Sequence, residues 1–199
     1  MRENRTASDS EGLAAAVHQN VEGAIERLVQ HYEDALFAYA LRLLRDRFEA
    51  QEVTQDAFIR AIRALTSRYD EDKCRVLELK PWLFRITRNL AYSKRKLRRY
   101  SAEVPLPENG DGSVQSACSH PVAAASLEAR EQRDLMERAL TRLRPEARDL
   151  VLLRFMEELS YAEIATVMNA SESSVRGKVF RALQALRKAL ERQGNHDAM

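Results

Sequence analysis

Apolar residues recur at three- and four-residue steps through two long blocks of this chain, and few glycines or prolines interrupt either block. In the first block Ile25, Leu28, Val29, Tyr32, Leu36, Tyr39, Ala40 and Leu43 draw one stripe on a helix of 3.6-residue period. Strands would need alternation of period two, which neither block shows. The whole sequence of 199 residues holds only 6 Gly and 5 Pro. Stretches rich in Ala, Leu, Arg and Glu favour helices. The expected fold is all-α. Residues 101–126 break the pattern: they carry three of the five prolines and two glycines and show no periodicity, so they read as a flexible linker. Two small helical domains follow, over residues 21–100 and 127–192. Residues 1–20 are expected to form a disordered tail, and 193–199 a C-terminal tail.

Local signals place several helix ends. Asp46 is a candidate cap for a helix running through Val53, Ala57, Ala61 and Leu65 to about Thr66. The polar stretch Ser67 to Lys80 precedes a helix opening at Pro81, a residue suited to a first turn, and that helix should reach about Arg99. In the second block, breaks are expected at Arg144-Pro145 and around Glu157–Leu159. Ser160 followed by Glu163 is a capping-box pair. It starts a short helix, Tyr161 to Met168, and Asn169 then tolerates the left-handed backbone of a tight turn. Ser171 can cap the next helix. This is a helix-turn-helix, with Ile164, Ala165, Met168, Val175 and Val179 spaced to share a core.

A net charge of +2 hides strong segregation. From Lys80 to Tyr100 there are eight basic residues and no acidic one; from Ser101 to Ser126 there are three acidic residues and no basic one. Between Ser173 and Met199 six basic residues face two acidic. Two cationic segments flanking an acidic one suggest two contacts with a single polyanion. No run approaches the roughly 18 apolar residues of a membrane span. The stretch Leu13 to Val17 is too short for a signal peptide, so membrane insertion is not expected and the compartment is expected to be the cytoplasm. Cys74 and Cys118 form no CxxC pair, and Cys118 and His120 have no second ligand pair nearby. No disulfide scaffold, metal or cofactor is implied.

Helical wheels separate both basic helices into two faces. After Ser171, Val175, Val179, Ala182, Leu183, Leu186 and Leu190 fall on one side, and Ser173, Arg176, Gly177, Phe180, Arg181, Gln184 and Arg187 on the other. The second face suits a major groove, where Arg reads guanine or phosphate, Gln reads adenine and an apolar group meets the thymine methyl. Phe180 either packs on a neighbouring helix or touches a base. Gly177 costs the helix roughly 1 kcal/mol relative to alanine, which close approach to DNA would explain. After Pro81, Leu83, Ile86, Leu90 and Leu97 define a core stripe, while Arg85, Arg88, Asn89, Tyr92, Arg95, Lys96 and Arg99 crowd the other side. Cations can hold phosphates there while Asn and aromatic rings meet bases. Trp82, at the edge, is either core or a stacking surface for an unpaired base. In the preceding helix Glu52, Gln55, Asp56, Ile59 and Ile62 mix acidic, amide and apolar groups, as a partner-protein surface or a helix buried on several sides would.

The stretches EAQEVTQDAFIRAIRAL and PWLFRITRNLA resemble the second conserved region of bacterial RNA polymerase sigma factors. LTRLRPEARDLVLLRFMEELSYAEIATVMNASESSVRGKVFRAL resembles their fourth. With only these two regions, in order, the chain is similar to the extracytoplasmic-function (ECF) group. The resemblance implies core RNA polymerase as partner, through the β′ clamp coiled coil and the β flap, together with promoter DNA and an anti-sigma factor. It implies that Glu52, Gln55, Asp56 and Ile59 dock on the clamp. Asn89 and the loop before Trp82 would take a flipped minus-ten base, and Arg85, Arg88, Lys94 and Arg95 would hold the separated strand. Ser173, Ser174, Arg176, Lys178, Phe180 and Arg181 would read the minus-thirty-five element. The acidic linker matches the segment that threads toward the polymerase active site. Glu52 stands where the family often has Asp, Ser171 where it often has Pro, and the loop Asp70–Pro81 is a few residues longer than usual. An autonomous helix-turn-helix regulator is the rival reading; it would bind a specific duplex without polymerase. The reading as an enzyme acting on nucleic acid fails on chemistry, because the sequence offers no P-loop, no metal-ligand cluster and no nucleophile with a base at recognisable spacing, so no enzyme is expected.

Overall fold

Two loop residues in left-handed backbone set up the first three helices. In the computed structural model, which describes residues 12–103 and 127–194, Gly23 (φ 71°) precedes one long helix and Arg45 (φ 60°) ends it. The Asp46 carboxylate then accepts from the Glu49 amide at 2.9 Å and starts the next helix, as the sequence suggests. The first unit comprises α1 (Leu13–His18), α2 (Ala24–Leu44), α3 (Arg47–Ser67), α4 (Glu71–Val76) and α5 (Leu79–Glu103). The two-residue connection makes α2 and α3 an antiparallel hairpin. α5 packs against both. Leu28, Leu36 and Tyr39 of α2 and Leu83 and Phe84 of α5 are fully buried where these helices pack, and the Tyr39 and Phe84 rings stand edge-to-face at 5.2 Å. α3 contributes Ala50, Ala57 and Ala61, whose small side chains let its neighbours approach closely.

Four expectations for this unit need correction. Residues 1–11 lie outside the described structure, but residues 13–18 of the expected disordered tail form α1, with Leu13, Ala14 and Val17 buried against α3 and α4. His18 Nδ1 donates to the Leu65 carbonyl at 2.8 Å, satisfying an acceptor that the end of α3 leaves without a helical partner. The polar stretch after Ser67 contains α4, capped by Asp70, whose carboxylate accepts from the Lys73 amide at 2.8 Å. Finally, α5 opens at Leu79 rather than Pro81. Pro81 is its third residue, and the first intrahelical bond comes from the Trp82 amide to the Glu78 carbonyl at 3.2 Å, so the proline nitrogen sits where no donor is used. α5 also continues to Glu103, which makes the first residues of the expected linker helical.

The second unit contains α6 (Leu127–Arg142), α7 (Pro145–Val151), α8 (Tyr161–Met168) and α9 (Glu172–Gly194). Pro145 occupies the first position of α7. α7 then widens into a π-helical turn over Leu152–Met156, closed by the Glu157 amide on the Leu152 carbonyl at 3.1 Å. Glu158, at φ 56°, ends this run where a break was expected. The capping box is present in full: Ser160 Oγ accepts from the Glu163 amide at 3.2 Å, and the Ser160 amide donates to Glu163 Oε2 at 2.7 Å. Asn169 adopts φ 50°, ψ 53° between α8 and α9, and Ser171 Oγ accepts from the Ser174 amide at 3.4 Å. Ile164, Val175 and Val179 are buried together as expected, but Val167 joins them while Ala165 and Met168 are only half-buried. The expected linker beyond Glu103, Cys118, His120 and the last five residues lie outside the described residues.

Candidate nucleic-acid and partner-protein surfaces

On α5 the apolar stripe turns inward from Trp82 to Ala91, and this orients the basic face outward. Asn89 is exposed, and Arg85, Arg88, Lys94 and Arg95 are half-buried around it. The Tyr92 ring lies under two guanidiniums, with Arg88 at 4.5 Å and Arg95 at 5.6 Å from its centre. That leaves a cationic surface with one amide and one aromatic ring in it. Trp82 does not belong to this surface: it is 4% exposed and packs beside the Tyr69 ring at 5.7 Å. Its place is in the core, against the connection between α3 and α4 that carries Tyr69. Leu97 also departs from expectation, being 67% exposed near the end of the stripe.

Glu52, Gln55, Asp56 and Ile59 all lie on the exposed side of α3, with Ile59 46% exposed. Gln55 and Ile59 border a groove of 330 Å³ between α2 and α3, also lined by Val29, Glu33, Phe37 and Phe58. The α2 half of this groove has no signature in the sequence, because Val29 fits the core stripe as well as it fits a groove wall. Phe48, near the start of α3, is 82% exposed, in keeping with its position off any apolar stripe. The structure also joins two groups that the sequence keeps apart. Glu52 of α3 pairs with Lys94 of α5, and Glu49 with Arg98 at 3.5 Å. The acidic docking candidates and the basic strand-holding candidates thus adjoin along one α3–α5 seam. Such exposed pairs contribute about 0–1 kcal/mol each, so they are easily exchanged for other partners.

On α9, Ser173, Ser174, Arg176, Phe180 and Arg181 are all exposed. Phe180 is 63% exposed, which settles its two readings in favour of an outward ring. Lys178 is more restrained than the wheel suggests, since its ammonium pairs with Glu146 of α7 at 2.7 Å. Arg176 is held twice, by Glu172 Oε1 at 2.6 Å and by the Tyr161 ring at 4.9 Å. At Gly177 an added Cβ would meet only the Arg181 Nη1 atom, at 3.9 Å, so nothing inside the molecule requires glycine there. Among the described residues no group of three or more His, Cys, Asp and Glu side chains could hold a metal ion, and no helix is long and apolar enough to cross a membrane. Cys74 is the buried residue of α4, and burial, reinforced by the Asp70 charge and opposed by Lys73, pushes its thiol pKa up.

The family pattern described as Sigma-70 region 2 matches residues 28–101, and that of Sigma-70, region 4 matches residues 133–186. The chain is 30% identical over 174 residues to the ECF RNA polymerase sigma factor SigM of Bacillus subtilis, covering 87% of this chain and 98% of that protein. It is 31% identical over 195 residues to the RNA polymerase sigma-H factor of Pseudomonas aeruginosa, covering 94% and 96%. In fold it is similar to CnrH, solved with the cytosolic domain of CnrY (TM-score 0.65, 23% identity, 92% of this chain and 97% of that one). It is likewise similar to the sigma factor RpoE of Bartonella quintana, solved with the anti-sigma factor NepR (TM-score 0.61, 21% identity, 85% and 98%). Matches this extensive, in both regions and nearly end to end, mean that the chain belongs to the ECF RNA polymerase sigma factors.

Proposed function

We propose that this sigma factor is a dissociable initiation subunit whose α3 surface docks on core RNA polymerase while α5 and α9 engage one promoter. Glu52, Gln55, Asp56 and Ile59 form the docking patch, with the α2–α3 groove extending it. Asn89 and the loop before Trp82 receive an unstacked minus-ten base, and Arg85, Arg88, Lys94 and Arg95 hold the separated strand. Ser173, Ser174, Arg176, Phe180 and Arg181 read the minus-thirty-five duplex, with Lys178 following once its pair with Glu146 opens. The β flap is the second polymerase contact, for the unit of residues 127–192, and the chain after Glu103 links the two units. The supporting observation is the pair of outward cationic faces on two separate helical units, one of them sharing a seam with an acidic and apolar patch.

The chemistry assigns distinct work to each part. Extruding a base costs a few kcal/mol, which binding to the polymerase and the α5 cations must offset. No covalent step belongs to the chain itself, and its place of action is the cytoplasm, with the polymerase. An anti-sigma factor is a further partner: the structurally similar RpoE was solved bound to one, and the exposed α3 patch is a surface such a protein could cover. The deciding experiment is co-elution with core polymerase. Reversing charge at Glu52 and Asp56 should abolish binding with helicity unchanged, and intact binding of that variant would overturn the docking assignment. The autonomous-regulator reading predicts tight binding to a specific duplex without polymerase, whereas only weak, salt-sensitive binding is expected here.

A further inference from the structure

The π-helical turn, α8 and α9 meet around one tyrosine. Tyr161 is the first residue of α8, and its ring lies 5.1 Å from the Arg154 guanidinium and 4.9 Å from that of Arg176. Arg154 is fixed in turn, because its Nη1 donates to the Leu159 carbonyl at 2.8 Å across the turn that ends the π-helical run. Arg176 is gripped on a second side: its Nε and Nη2 donate to Glu172 Oε1 at 3.1 and 2.6 Å. A guanidinium carries five N–H donors in a planar fork. The carboxylate oxygen takes the Nε hydrogen and one Nη2 hydrogen and the ring supports the group, which leaves both Nη1 hydrogens and the second Nη2 hydrogen as a fork on an exposed residue. An unheld arginine would lose most of its rotamer freedom on meeting a base.

We infer that Tyr161, together with Glu172, is a positioning residue that presets the Arg176 fork for a guanine edge in the minus-thirty-five duplex. The inference rests on the reading of Arg176 as a base contact. Tyr161 acts through its ring, so phenylalanine should serve there and alanine should not. Arg154 ties that ring to the turn before α8, which links the geometry of the reading arginine to the π-helical turn. Specificity at one base pair is thereby set partly by a residue one helix away from the reader.

The test uses holoenzyme reconstituted from the full chain and core polymerase. It is offered duplex promoter fragments randomised through the minus-thirty-five element, and the bound fraction is sequenced. R176A should flatten the preference at one base pair and so mark it. Y161A and E172Q should each lower discrimination at that same pair about three- to tenfold while preferences elsewhere persist; Y161F should match the parent. In R176A, adding Y161A should change nothing further. A uniform loss across all sequences in Y161A would overturn the inference, because Tyr161 would then be supporting the fold or a phosphate contact. A Y161F variant as impaired as Y161A would overturn it as well, by assigning the work to the hydroxyl. If R176A alters no preference, the reading of Arg176 itself fails and takes this inference with it. A normal R176A effect beside an unaffected Y161A and E172Q would sink the positioning role alone.

Discussion

Gly177 lies on the exposed face of α9 between Arg176 and Lys178, and replacing it with alanine should move stability and promoter binding in opposite directions. In a helix interior alanine is favoured over glycine by about 0.8–1.0 kcal/mol. Part of this gain comes from the unfolded chain, which has fewer conformations to lose. The new methyl group would sit 3.9 Å from the Arg181 Nη1 atom, an ordinary contact with the mobile end of a side chain, so no steric penalty cancels the gain. About 1 kcal/mol corresponds to roughly a fivefold larger folding constant. For a unit of this size it raises the melting temperature by roughly 4–8 °C. Thermal unfolding followed by circular dichroism, resolving the transition of the second unit, measures this directly. The same methyl group projects from the surface assigned to the minus-thirty-five duplex, so binding of the holoenzyme to promoter fragments should weaken. A variant that melts higher and binds DNA as tightly as its parent would refute the idea that glycine is kept for close approach. A variant that melts lower would refute the helix argument itself.

Two further predictions concern the first unit. Leu13, the first residue of α1, is 4% exposed, so Leu13→Ala should cost about 2–5 kcal/mol in urea unfolding of that unit; a cost near zero would mean that α1 adds nothing to the core. Cys74 should resist alkylation in the folded protein at neutral pH, measured in a Cys118→Ser background, and react once the chain is unfolded. Since its folded-state pKa is raised, the native state holds the thiol proton more tightly than the unfolded chain. That contribution to stability is complete below the ordinary thiol range and is lost as pH rises through it toward the folded-state value. Rapid labelling of folded protein at neutral pH would contradict this.

Helix starts and the tight turn were legible because capping is chemistry between residues a few positions apart. Asp46 with Glu49, Ser160 with Glu163, and the left-handed Asn169 all appear where the residues imply, since each needs only its own neighbours. The faces of α9 were legible for the same reason. Its buried valines and exposed arginines follow from one period over a long, regular helix. Helix α1 was not legible: six residues are too few to establish a period, and its anchoring bond runs from His18 to Leu65. Trp82 and Leu97 show the same limit from opposite directions. A wheel assigns each an angle, but not whether a neighbouring helix reaches that far along the axis.

The amino-acid order alone determined the two helical blocks, the helix-turn-helix and the family, because period, caps and motif spacing are properties of neighbouring residues. Tertiary structure decided which side chains meet across distance. It brought Glu52 to Lys94, laid the Tyr161 ring against both Arg154 and Arg176, and opened the groove between Phe37 and Ile59. The physical reason is that burial and pairing depend on what other segments bring to a surface, and local propensity carries no record of that.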